Sequence, residues 1–187
     1  MTELVTARLR LRPWIATDAA PMAMINRDPE VTRYLNRPVD EHSVAAFFTV
    51  VSDHWAAHGF GFWAIDLREP DSEDESFIGF AGVAYPTFLP QLADRPELGW
   101  RLARRAWGHG YATEAAQAAR DDALTRLGLS ELISIIHPDN SRSQRLATKL
   151  GMSREGEIFN PVLQRTTDIW RLVAQAQSSD GFTSAQQ

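Results

Sequence analysis

The hydrophobic pattern changes period along the chain, and the changes mark out its elements. Arg8-Leu9-Arg10-Leu11-Arg12 alternates charged and apolar side chains, which predicts a half-buried strand whose pairing Pro13 limits. Thr17 or Asp18 can then cap a helix carrying Ala20, Met24 and Ile25, broken at Asp28-Pro29. A second helix is predicted from Asp40 to about His58, because Val44, Phe47, Phe48, Val51 and Trp55 recur at three and four residues, and Gly59 stops it. The aromatic and β-branched runs Phe60–Ile65 and Phe77–Tyr85 then read as an antiparallel hairpin across the acidic stretch 71–75. A strand from Glu97 to Leu102 follows, then a helix from about Tyr111 to Leu127 with Ala115, Ala118, Ala119, Ala123 and Leu124 inward, ended by Gly128. Leu132–Ile136 is a short buried strand, Asp139 or Asn140 caps a helix through Leu150, and two last strands fall near Met152–Ile158 and Asp168–Val173. The order β-α-α-β-β-β-α-β-α-β-β indicates a mixed α/β sandwich around one sheet, not a doubly wound domain.

Composition narrows the chemistry. With 187 residues the chain fits one domain with a sizeable core. No cysteine is present, which removes disulfides, thiolate metal sites and any covalent thioester on the protein. A formal charge of −5 argues against a phosphate-backbone binder, so no nucleic-acid partner is expected, and it leans slightly towards cationic partners. No run approaches a membrane span and the amino terminus lacks a signal-peptide layout, so no membrane partner and a cytoplasmic location are expected. The stretch 175–187 is rich in Gln, Ser and Ala and reads as a polar, flexible tail.

The most informative segment runs from Glu97 to Ala115: a strand, a tight loop with Gly108 and Gly110, and a helix start. Such a loop either just turns the chain or aims several backbone N–H groups, together with the helix dipole, at one anion. A nucleotide P-loop needs a lysine that is absent here, and a dinucleotide fingerprint fails because Thr113 stands where the third glycine belongs.

The segment resembles the coenzyme A loop of the GNAT superfamily of N-acetyltransferases. Its pattern, [QR]-x-x-G-x-[GA], is met at Arg105-x-x-Gly108-x-Gly110 and nearly met two residues later at Trp107-x-x-Gly110-x-Ala112. The later register is preferred, since Trp107–Ala115 is similar to the form found in the ribosomal-protein alanine N-acetyltransferase (Rim-type) subfamily and its small-molecule relatives. Thr6–Trp14 with Asp18-Ala19, and His137–Ser143 with Lys149–Met152, also resemble that subfamily. The resemblance implies a GNAT-like acyl-CoA N-acyltransferase fold: a mixed α/β domain over 1–174 with a central, mostly antiparallel sheet, a splayed parallel pair and helices on both faces. It implies acetyl-CoA as cosubstrate, no metal, an amine acceptor that is a protein N-terminus or a small molecule, and admits a homodimer.

By the same resemblance, the strands Leu98–Leu102 and Leu132–Ile136 splay around the pantetheine arm, with the Leu102 backbone holding it. The N–H groups of Trp107, Gly108, His109, Gly110, Tyr111 and Ala112 hold the pyrophosphate, with Thr113 at the helix start. Asn140 either bonds the pantetheine amides through both faces of its carboxamide, caps its helix, or does both. The implied reaction is direct attack of an amine on acetyl-CoA; the alternative is a non-catalytic acyl-CoA-binding or regulatory module on the same fold. An amine attacks only when neutral, which at pH 7 costs about 1 kcal/mol for an α-amine and about 4.6 kcal/mol for lysine. Glu97 is the candidate general base, beside Gly99, which would leave space next to the carboxylate; its plain alternative is a salt bridge to Arg101 on the same strand face. His137 is a second candidate base. Ala147 stands where many members carry an acid tyrosine, leaving Ser143 as the candidate donor to the leaving sulfur, or as a solvated helix serine. His54 and His58 have two-histidine metal spacing but no third ligand. Trp55, Trp63 and Phe80 read as core, whereas Trp14, Tyr34 and Tyr85 would line an acceptor pocket if their ends converge.

Overall fold

The computed structural model describes residues 2–35, 41–70, 76–161 and 164–174. The strands are β1 (Leu4–Val5), β2 (Leu9–Arg12), β3 (Phe62–Leu67), β4 (Phe77–Ala84), β5 (Glu97–Leu102), β6 (Glu131–Ile136), β7 (Ser153–Asn160) and β8 (Arg165–Val173). The helices are α1 (Ala19–Arg27), α2 (Pro29–Thr32), α3 (Glu41–His58), α4 (Tyr111–Thr125) and α5 (Ser141–Lys149). One sheet runs β1-β2-β3-β4-β5-β6-β8-β7, antiparallel throughout except for the parallel pair β5/β6. The expected mixed α/β architecture is therefore present. The predicted helix start at Asp40, the acidic stretch 71–75 and the tail 175–187 lie outside the described residues.

The period-two pattern of β2 does what it predicts: Leu9 and Leu11 are fully buried, and Arg10 and Arg12 leave the other face. Arg12 then forks between Asp18 and Asp66, so the Asp18 carboxylate, expected as a helix cap, instead takes Arg12 and the Ile15 amide. Asp28-Pro29, read as a break, also starts a helix. Asp28 caps α2 through the Glu30 amide, and Pro29 occupies the first turn, where its missing N–H leaves nothing unsatisfied.

The two sheet faces carry different cores. Alanines 115, 116, 119 and 123 let α4 lie close on one face, over Leu98, Leu102 and Leu132, with Leu146 and Ala147 of α5 beside it. The other face holds Met22, Ile25, Ala64 and Phe80, with Trp14, Phe47 and Phe48 packed against them. At Gly79 the β4 register shifts by one residue against β3, and its φ of 136° is one that side-chain-bearing residues rarely adopt. Among the described residues no helix is long and apolar enough to cross a membrane.

Candidate active site

The parallel strands share one ladder pair among the described residues. Glu97 pairs with Ile133, whose amide reaches the Pro96 carbonyl at 2.9 Å, and no later residue of β5 pairs with β6 among the described residues. Just past this point the buried Ser134 hydroxyl donates to the Leu98 carbonyl at 2.6 Å, a side-chain bond where a ladder bond would continue a regular sheet. From Gly99 to Leu102 the strand edge facing β6 is open, in the middle of a sheet where backbone groups require partners. The Leu102 carbonyl already accepts the Trp107 indole N–H at 2.9 Å.

The loop follows directly. The Trp107 amide donates to Arg104, so the array of free amides expected from Trp107 starts one residue later. Gly108 and Gly110 have φ of 83° and 82°, conformations that L side chains rarely adopt; a Cβ at Gly108 would meet nothing within 4 Å, so conformation and not space demands glycine there. Glu114 N–H, bonded to the Gly110 carbonyl, is the first of the helix start to find a backbone acceptor; among the described residues the amides from Gly108 to Thr113 find none. Six amides at the positive end of a 15-residue helix make an anion cradle that suits a pyrophosphate. Arg105 bonds the Phe77 carbonyl, which ties the side chain of the alternative register to β4.

Sequence reasoning missed what holds this loop. Arg8 donates to the His109 carbonyl and to Glu114, and lies 4.6 Å from the centre of the Tyr111 ring, which stacks with His109. Burial pushes the Glu114 carboxyl upwards, but bonds from Thr6 and from the Arg8 amide and guanidinium outweigh it and hold the group below the usual range. The available signal was an acid in the first turn of α4 and a cation leading the alternating strand. Arg142, 4.7 Å from the Trp107 ring centre, brings a second cation to the loop.

Glu97 lies where the strands part. Burial pushes its carboxyl up to about 7, against a smaller lowering by the Ile135 backbone N–H. Its alternative partner, Arg101, donates instead to Asn26 of α1, and no Glu97–Arg101 ion pair occurs among the described residues. Gly99 does not leave open space: a Cβ there would come 3.1 Å from Phe62, whose ring fills the position.

Asn140 caps α5, its side-chain oxygen accepting from the Ser143 amide at 3.1 Å. Capping uses one lone pair of this oxygen and leaves its second, and the NH2 group makes no hydrogen bond among the described residues. Asn140→Ala is expected to lower stability by about 1 kcal/mol, read as a fall in melting temperature of about 2–4 °C. Ser143 sits half-buried one turn into α5, and Ala147 is fully buried in the core. His137 accepts the Asp139 amide at Nδ1, which puts the neutral ring's proton on Nε2 and leaves no free lone pair for a base. Burial, and then the Arg165 charge, lower its pKa.

The three acceptor-pocket aromatics do not converge. Trp14 packs among Phe47, Phe48, Phe77 and Phe80; Tyr85 lies with His54, His58 and Phe60; Tyr34 stands 5.1 Å from His137. Trp55, Trp63 and Phe80 are buried as expected. His54 bonds the Phe60 carbonyl through one ring nitrogen and the Tyr85 amide through the other, so it staples α3 to the hairpin and has no nitrogen left for a metal.

The family model described as "Acetyltransferase (GNAT) domain" matches residues 8–153. A protein of Bacillus licheniformis named "Uncharacterized N-acetyltransferase p20" is 32% identical over 158 residues, 83% of this chain and 85% of that one. The crystal structure of an acetyltransferase from Agrobacterium tumefaciens superposes with a TM-score of 0.79 at 29% identity, covering 93% of this chain and 95% of that one. Mycobacterium smegmatis RimJ in complex with CoA-disulfide superposes with a TM-score of 0.70 at 20% identity over 89% and 82% of the two chains, a likeness of fold. With its open cradle, its parted parallel strands and a matching family model across most of its length, the chain belongs to the GNAT family of acetyltransferases and is an acetyl-CoA-dependent acyltransferase.

Proposed function

We propose that the protein transfers an acetyl group from acetyl-CoA directly to an amine within a ternary complex, with Glu97 removing the amine's proton. The observation that carries this reading is the Glu97 carboxyl, pushed up to about 7 by burial, at the single ladder pair of β5 with β6 among the described residues, next to the strand edge that opens beyond it. Acetyl-CoA supplies a thioester carbonyl as the electrophile. The amides of Gly108, His109, Gly110, Tyr111, Ala112 and Thr113 would hold the pyrophosphate, with Arg142 adding positive charge. The free edge of β5 up to Leu102 and the Asn140 NH2 group would hold the pantetheine amides, while Trp107 braces Leu102 through its indole. As the C–N bond forms and the C–S bond breaks, Glu97 takes the amine proton and the Ser143 hydroxyl donates towards the departing sulfur. No cysteine is available to carry the acetyl group, which supports one-step transfer. The segments Thr6–Trp14, Trp107–Ala115 and His137–Met152 support an acceptor of the Rim type, a protein N-terminus, or a related small-molecule amine.

Coenzyme A at a hundred times its dissociation constant is expected to add about 2.7 kcal/mol of stability, raising the melting temperature by roughly 5–10 °C in a domain of this size. Acetyl-CoA with a panel of amines should release free thiol in step with acetylated product. Unchanged melting of the folded protein at millimolar coenzyme A, or no thiol release with any amine, defeats the reading.

A further inference from the structure

The sheet face that carries Glu97 also carries a cation, Arg165, that pairs with no carboxylate among the described residues. Strand register puts Glu97, Ile133 and Ile135 on one face, and the ladder of β6 with β8 extends that face through Ile169 to Thr167 and Arg165. Packing agrees: Ile133, Ile169, Ile135 and Ile158 form one cluster. Arg165 donates to the Tyr34 carbonyl, the Tyr34 ring lies tilted 5.1 Å from that of His137, and the Arg165 charge acts on His137, so these groups close around one spot.

Within that spot two donors lack acceptors. Arg165 Nε is buried with no hydrogen-bond partner, and Thr167, 2% exposed, has no partner for its hydroxyl. Among the described residues no carboxylate pairs with Arg165. Asp168 of β8 belongs to the opposite face and is held by Arg154 at 2.8 Å, while Asp139 is exposed beside His137. Burial alone acts on the Arg165 guanidinium, pulling its pKa below the ordinary value. A charge partly removed from water without a counter-charge is unfavourable, as is a buried hydroxyl without a partner, and one carboxylate accepting from both relieves the two together.

We propose that Arg165 and Thr167 form an anion subsite for the acceptor, so that the amine acetylated by this protein also carries a carboxylate. The inference rests on Glu97 being the base of the transfer. Ile135, whose amide meets the Glu97 carboxyl, pairs with Ile169, and Thr167 stands two strand residues from Ile169 along β8, about 6.6 Å. With one hydrogen bond of about 2.9 Å at each end, that span suits an amine and a carboxylate separated by a few carbons. The local requirement runs against the acidic balance of the whole chain: a polyamine would bring its second charge against Arg165.

Matched acceptors test this, since ω-amino acids and alkylamines of equal length have amines of similar basicity. 3-Aminopropanoate and propylamine, and 4-aminobutanoate and butylamine, are compared by thiol release with saturating acetyl-CoA. The carboxylate-bearing member of a pair should have kcat/KM about ten- to a hundred-fold higher, the range for a hydrogen bond to a charged group. Arg165→Gln should erase that advantage through KM, leaving kcat and the alkylamine within about threefold, and Thr167→Val should reduce it. Equal kcat/KM within both pairs in the unaltered protein, a comparison that needs no variant to fold, overturns the subsite while leaving the acetyltransferase reading in place. So does an Arg165→Gln loss of equal size for both members. No thiol release with any amine fails the underlying reading, and the subsite with it.

Discussion

Glu97→Gln is expected to lower kcat for acetyl transfer by about 10²–10⁴-fold and yet to make the folded protein more stable above pH 7. The two effects share one cause. The carboxyl has its pKa raised from 4.5 to about 7 by burial, so it is a good base near neutrality because its charge is poorly solvated. Activity of the parent protein should therefore fall as pH drops through about 7, since only the ionised form accepts a proton, and this limb should vanish in the glutamine variant. Stability runs the other way. Between about pH 4.5 and 7 the folded state keeps a proton that the unfolded state has released, so stability declines across that window as pH rises. Below it the variant and parent should match; above it the variant should gain on the order of 1–3 kcal/mol. Paired pH profiles of rate and of denaturant midpoint check both halves. An unchanged rate, or a variant that loses stability at pH 8, rules out this role for Glu97.

Gly79→Ala should be the most damaging single-methyl change in the sheet, at about 4 kcal/mol or more, read as a large loss of soluble protein or of melting temperature. A Cβ at this position would lie 2.1 Å from the Arg101 carbonyl oxygen and 2.8 Å from the Leu102 Cα, both backbone atoms of β5. Neither can retreat without disturbing the bond from the Ala103 amide to the Ile78 carbonyl and the pairing of Gly79 with Leu102. The φ of 136° adds strain even if space were made. Gly156→Ala is the control, because a Cβ there meets nothing within 4 Å and its φ is not positive. Similar losses for the two variants in a thermal melt would mean that the β4/β5 contact does not set the limit.

What was legible in the sequence was what one element states by itself. Alternation gave β2, three-and-four spacing gave α3 and α4, and the glycine pair before Tyr111 marked the cradle. The strand ends were less clear: β7 and β8 run to Asn160 and from Arg165, past the predicted limits, because antiparallel pairing between them extends the ladder beyond the apolar run. β1 has only two residues, too few for any period to show. α2 escapes the pattern because Asp28-Pro29, which ends α1, is also the cap and first turn of the next helix. The site divides in the same way. Glu97 was visible as a position, but its raised pKa comes from neighbours on other strands, and the empty donors of Arg165 and Thr167 exist only once β8 lies beside β6. Ser134 bridging to Leu98 is likewise a contact between segments 36 residues apart.

The Arg8–Glu114 clamp also bears on how the protein assembles. Its bonds join residues 106 apart, and Arg8 meets the His109 carbonyl across 101. Closing a loop of that length must precede any gain from it, so the clamp belongs to the slow, non-local part of folding. Arg8 leaves the ribosome well before Glu114, so this fastening of the cradle has to wait until α4 has been synthesised. Cofactor affinity should thus be acquired late and all at once, as a property of the completed sheet and not of the loop that touches the ligand.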